Sequence, residues 1–159
     1  MRTAQAIVQC MVTIREAGPD DLRSLASLRA LWAAEQDPTT PDDPHFEDAY
    51  LNWMEANPRK FFVAEQGSQL IGMLNLLVFQ RMPKPGKEPS CWVYLGNVYV
   101  LPAFRNAGVG GRLVDASIEF SGRIRAARMV LSPSSESQGF YQRLGFRPAA
   151  ELRVRSFQA

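Results

Sequence analysis

Cysteine and histidine are scarce in this chain of 159 residues, which has only Cys10, Cys91 and His45. Two cysteines cannot build a disulfide scaffold. Neither has a His or Cys neighbour at metal-ligand spacing, so the expectation is a reduced, cytoplasmic setting and no metal. Long apolar runs are also missing. The longest, Leu70 to Phe79, is broken by Gly72 and Asn75. It falls short of the roughly 18 to 20 residues that a bilayer crossing needs, so a soluble protein with no membrane partner is expected. The first ten residues are interrupted by Gln5 and Gln9 and lack a signal-peptide core. They read as part of a disordered leader, residues 1–11, or as residues ahead of a true start at Met11. Residues 12–159 remain as one expected domain, and a composition that is 46% hydrophobic and 21% charged suits a single buried core.

Lysine is absent from the last third. From Ala103 to Ala159, nine arginines face four acids, a balance of +5, whereas from Asp20 to Asn57 nine acids face two arginines, a balance of −7. Charge clusters of this kind are commonly solvated faces. The sharper reading is a polyanionic ligand held by the C-terminal part and a cationic one near the N-terminal part. Arg123, Arg125 and Arg128 lack interleaved aromatics and the net charge is only +2, which argues against nucleic acid.

Periodicity places the elements. Val12 to Glu16 reads as a strand, and Gly18-Pro19-Asp20-Asp21 opens a helix with Leu22, Leu25, Leu28 and Trp32 on one face. Asp37 to Pro44 is a loop, and a second helix runs from about His45 to Glu55. Phe61 to Glu65 and Leu70 to Phe79 read as a hairpin, and Ser90 to Leu101 as a further strand stopped by Pro102. Gly108 to about Ala126 is an amphipathic helix, and Met129 to Ser132 a short strand. Ser135 to Gln138 matches a capping box that opens a helix ending at Gly145, and Leu152 to Phe157 reads as a last strand. This order predicts an α/β (α+β) fold with a mixed sheet and helices on both faces.

The chemistry concentrates where the strand ending in Val98-Tyr99-Val100 meets the turn Arg105-Asn106-Ala107-Gly108-Val109-Gly110-Gly111 and then a helix. The first turn of a helix has free amide N–H groups and a partial positive charge, which suit phosphate oxygens, and glycine leaves the backbone accessible. On these grounds alone the glycines equally well serve a tight turn and close packing. The turn matches neither a P-loop nor Gly-x-Gly-x-x-Gly.

The block Arg105-x-x-Gly108-x-Gly110 nevertheless resembles the acetyl-CoA-binding motif of the GNAT superfamily of N-acetyltransferases. A second block, Gly139-Phe140-Tyr141-Gln142-Arg143-Leu144-Gly145-Phe146, is similar to that family's C-terminal Tyr-x-x-x-Gly-Phe motif. The resemblance is strongest from Leu95 to Pro148. It implies a mostly antiparallel central sheet with two parallel strands splayed at the CoA site, and acetyl-CoA as cosubstrate. It further implies that the backbone of Val98, Tyr99 and Val100 meets the pantetheine arm and that the amides of Arg105, Asn106, Ala107, Gly108, Val109, Gly110 and Gly111 wrap the pyrophosphate. Tyr141 then takes the place of a hydroxyl that protonates the departing thiolate; apart from the resemblance it reads as a half-buried helix aromatic. The family's common Asn at the last helix is replaced by Ser134 or Ser135, which can cap the helix or contact CoA. Its usual strand Glu is missing from Tyr94-Leu95-Gly96-Asn97, so no general base is assigned. Asn97 can orient water or an amine, or be structural.

His45 reads as a surface residue with an alternative as the missing base. Trp32, Tyr50 and Trp53 read as core, and nothing near Cys91 lowers its pKa. The expected function is acetyl transfer to a primary amine, either a small molecule or a peptide, cationic in solution. A homodimer is compatible with this reading. The competing classes are a non-catalytic acyl-CoA sensor on the same fold and a nucleotide-phosphate enzyme, the latter lacking a lysine for its phosphates.

Overall fold

The computed structural model describes residues 11–157. Of the leader expected over residues 1–11, all but Met11 lies outside the described residues. Five strands form one sheet in sequence order: β1 (Thr13–Glu16), β2 (Lys60–Gln66), β3 (Gln69–Gln80), β4 (Cys91–Val100) and β5 (Met129–Val130). The first four pair antiparallel and only β4–β5 is parallel, so the sheet is mixed and mostly antiparallel as expected. A single turn, Pro19–Asp21, leads into α1 (Leu22–Gln36), followed by α2 (Phe46–Ala56). Beyond β4, Pro102–Phe104 makes another turn before α3 (Val109–Arg123), and α4 (Gln138–Arg143) follows β5.

Alternation along β2 divides the core. Phe61 and Val63 face Leu25, Leu28 and Tyr50 of α1 and α2, whereas Phe62 and Ala64 face Leu113 and Val114 of α3. Helices therefore cover both faces. Close contact between α3 and the sheet depends on Gly72. A Cβ there would lie 3.1 Å from the Tyr99 carbonyl oxygen, 3.2 Å from Leu113 and 3.3 Å from Val100.

Two expectations need correction. Residues 152–157 form no strand: Leu152, Val154 and Phe157 are exposed, and the segment pairs with no strand among the described residues. The alternation Leu-Arg-Val-Arg satisfies a local pattern, but a strand exists only where an edge accepts its hydrogen bonds. The last helix also starts later than a capping box at Ser135 requires. Its N-terminal flanking residue is Ser137, which makes no side-chain cap. Ser134 Oγ donates to Ser137 Oγ at 3.0 Å, and the Ser137 amide donates to the Ser134 carbonyl at 3.1 Å, so these serines close a turn on each other.

Candidate active site

β4 departs from regular alternation at its C-terminal half. Two of its residues, Asn97 and Val98, stand opposite the single Leu74, and Asn97 adopts φ +56. Such a bulge reverses which side chains face which layer. Before it, Val93 and Leu95 face α3; after it, Val98 and Val100 do, while Tyr99 turns to the α1 side. Asn75 Nδ2 donates to Asn97 Oδ1 at 2.8 Å and steadies the bulge.

The parallel pairing of β4 with β5 covers only Val93–Met129 and Tyr94–Val130. From Leu95 onward that edge of β4 has no strand partner among the described residues, and the two strands fork. The Leu101 amide donates across the ladder to Ile71 O at 2.9 Å, so by antiparallel alternation the N–H and C=O of Val100 point into the fork. Its carbonyl is already occupied, accepting from Arg105 Nε at 2.8 Å.

Above the fork, Asn106 (φ +59) and Gly108 (φ +78) are both left-handed. Left-handed residues so placed turn the chain from the end of β4 into α3. The first of the following amides to be satisfied is Arg112, which donates to Gly108 O at 3.0 Å. Among the described residues, the backbone N–H groups from Asn106 through Gly111 have no acceptor. They add to the positive end of the α3 dipole, a donor set suited to a dianion. The donor set and the open space over Gly108 and Gly111, where an added Cβ would meet nothing within 4 Å, fit a pyrophosphate.

On the other side of the fork, α4 packs on this turn, since a Cβ on Gly110 would lie 3.5 Å from Phe140. Tyr141 is half-buried, with its ring edge-on to Phe140 (5.0 Å) and Phe146 (5.6 Å). Burial, and secondarily the neighbouring Tyr94 phenol, push its pKa above the ordinary phenol value. The phenol is therefore protonated at neutral pH. Tyr94 holds the last position at which β4 pairs with β5, partly exposed at the apex of the fork with its ring over Gly96, and no sequence signal marked it. Ser134 is exposed in the turn before α4. No group of three or more His, Cys, Asp or Glu that could hold a metal occurs among the described residues.

Arg105 is anchored by its side chain to α1. Its guanidinium pairs with Glu35 at 2.8 Å through two nitrogens, and the Tyr99 hydroxyl donates to the same carboxylate at 3.0 Å. The hydrogen bond from Arg105 holds the Glu35 carboxyl below its usual range, with Tyr99 contributing less. Glu35 and Arg105 lie 70 residues apart, so no local signal could have paired them. This contact fixes the start of the amide turn against the opposite layer. Glu35→Ala should raise the KM for acetyl-CoA about 3- to 10-fold, the range of one well-aligned ion pair, and change kcat less. A kcat loss with unchanged KM would contradict a role in positioning the turn.

A model of the acetyltransferase (GNAT) family matches residues 25–146. The chain is 30% identical over 138 residues to an aminoglycoside N(6')-acetyltransferase type 1 of Salmonella enteritidis, covering 84% of this chain and 90% of that protein. It is 28% identical over 96 residues to a glucosamine 6-phosphate N-acetyltransferase of Trypanosoma brucei brucei, where it spans 60% of this chain and 63% of the relative. A Clostridium acetobutylicum structure described as a predicted acetyltransferase with acetyl-CoA superposes with a TM-score of 0.70 at 19% identity, over 92% of this chain and 96% of that one. At that identity the superposition speaks for the fold.

Proposed function

The chain belongs to the GNAT family of acetyltransferases and is thereby an acetyl-CoA-dependent acyltransferase, and we propose that it acetylates a primary amine by direct attack. The observation that carries the reading is the run of unpaired amides from Asn106 through Gly111, set at the mouth of the β4–β5 fork. The cosubstrate supplies an activated thioester. Amides of the turn hold its pyrophosphate, with Arg105 positioning the turn through Glu35, and the Val98–Val100 edge aligns the arm in the fork. Because α3 and the turn occupy one side, the amine enters from the side of α1 and α2. As the N–C bond forms and the C–S bond breaks, Tyr141 gives its phenolic proton to sulfur. β4 has no carboxylate from Tyr94 to Asn97 to take the proton lost by nitrogen, which passes to solvent. Both curated relatives act on amines by name, an aminoglycoside in one case and an amino sugar phosphate in the other.

Release of CoA, followed with a thiol reagent across a panel of amines, tests the reading. Binding of CoA with no turnover of any amine would favour the sensor class instead.

The acceptor amine is cationic in solution, and the acidic surface supports its approach. Much of that charge is committed locally: Asp21 to Arg15, Glu35 to Arg105, Glu47 to Arg23, and Asp43 to the His45 amide. The side chains of Asp42 and Asp48 are exposed and make no ion pair or hydrogen bond among the described residues. Converting both to Asn should raise the amine KM about 3-fold at low salt, with the difference shrinking as screening shortens the field, and leave the acetyl-CoA KM unchanged. An equal change in both KM values would mean a merely solvated face.

A further inference from the structure

Arg15, Arg23 and Arg105 around the N-terminal layer are matched to carboxylates, Arg59 lies over the Trp53 ring, and Arg29 on α1 has no carboxylate partner among the described residues. Arg15 bonds Asp21 and Glu65, Arg23 bonds Glu47, and Arg105 bonds Glu35. Arg29, in the middle of α1, is half-buried and pairs with no carboxylate among the described residues, although nine acids lie between Asp20 and Asn57. Its Nη1 is buried and has no hydrogen-bond partner among the described residues, while the residue as a whole stays partly exposed. The guanidinium carbon lies 4.9 Å over the Trp32 ring, and Trp32 stacks on Tyr99 at 5.6 Å and 19°. Tyr50 of α2 packs in the same buried cluster as Leu25 and Leu28 of α1, where burial pushes its phenol up to about 12 and the Arg29 charge opposes that rise.

An unpartnered buried donor on a cation is costly, and it persists where something else satisfies it. The Trp32 face attracts the cation but accepts none of its in-plane N–H bonds. A carboxylate or phosphate matches those donors with two oxygens in one plane. The location narrows the source of that anion. Arg29 is on the sheet face opposite α3, linked through Trp32 to Tyr99, the residue that follows the β4 bulge and sits beside the fork. The pyrophosphate cradle belongs to the opposite layer. An anion reaching Arg29 therefore comes with the acceptor.

We propose that Arg29 binds an anionic group of the acceptor, so that the enzyme acetylates an amine that also carries a phosphate or carboxylate. This rests on the amine-acetylation reading above and specifies its substrate class: the cationic charge that the acidic surface favours is that of the ammonium group alone, and the same molecule carries its anionic group to Arg29. The substrates named for the two relatives differ in this charge, since only the amino sugar phosphate carries such a group by name.

The test compares matched amines at saturating acetyl-CoA: glucosamine 6-phosphate against glucosamine, and alanine against alaninamide. In the wild-type enzyme the anionic member of one pair should have the higher kcat/KM. Arg29→Gln should reduce that preference about 10- to 100-fold, mainly through the KM of the amine, and Arg29→Lys should keep part of it. The pair that shows the preference distinguishes phosphate from carboxylate. Inorganic phosphate or acetate, matching that pair, should compete with the amine in the wild type and less in Arg29→Gln. Should Arg29→Gln fail to fold, as judged by its melting curve, the wild-type preference and Arg29→Lys still decide. Turnover of the neutral members with no preference in either pair overturns the role of Arg29 alone, as does a preference that survives in Arg29→Gln. Failure to turn over any amine while CoA binds overturns the amine reading, and this inference with it.

Discussion

Gly108→Val should weaken acetyl-CoA binding by about two orders of magnitude, on the basis that losing one or two charge-assisted hydrogen bonds costs about 1.5 to 3 kcal/mol each. Gly108 adopts φ +78, and a branched side chain strains that conformation by about 1 to 3 kcal/mol. The backbone can relieve the strain only by rotating the amides that follow, which are those left free for the pyrophosphate. The added methyl groups also project into open space over the turn, where the ligand would lie. Binding is read by titration calorimetry and folding by thermal melting. Gly110→Ala serves as the comparison, because its Cβ would meet Phe140 at 3.5 Å, an ordinary contact, and its melting temperature should hardly move. A folded Gly108→Val protein that binds acetyl-CoA like its parent would show that the phosphates bind elsewhere.

Tyr141→Phe should lower kcat by up to about 100-fold and leave acetyl-CoA binding nearly unchanged. Positioned acid catalysis contributes roughly 100- to 10,000-fold, and thiolates leave readily, which puts the effect at or below the bottom of that range. The ring is held edge-on by Phe140 and Phe146, and phenylalanine keeps those contacts while removing only the hydroxyl. Since burial raises the pKa of the phenol, the group stays protonated through neutral and mildly alkaline pH. The wild-type rate should therefore show no alkaline decline from Tyr141 until the pH exceeds that of an ordinary phenol, whereas the acid side follows deprotonation of the amine. Pre-steady-state measurement under rate-limiting chemistry provides the check. Wild-type kcat in the Phe variant would leave Tyr141 as a packing residue.

Tyr94 illustrates what a sequence pattern leaves out. Its position on a strand was expected, but its place at the apex of the fork depends on where β5 stops pairing, and its neighbour Tyr141 comes from a helix 47 positions later in the chain. The turn from Arg105 to Gly111 was legible because its requirements are local: a left-handed residue, small side chains and the start of a helix. The role expected of Arg105 was legible only in its backbone. The direction of its side chain was decided by Glu35, a residue that counted in the sequence only as one acid among nine.

The sequence by itself determined the main helices and strands, their order as far as α4, and the position of the glycine turn ahead of α3, because hydrophobic period, proline, glycine and helix dipole act within a few residues. Tertiary structure decided the rest. The bulge at Asn97 reverses the facing of Tyr99, Glu35 clamps Arg105, and Arg29 on α1 is left without a carboxylate among the described residues. It also left residues 152–157 without a strand partner among the described residues despite their strand-like alternation. Each of these depends on which distant segment supplies the partner for a hydrogen bond or a charge, and a linear pattern records the need for such a partner but not its address.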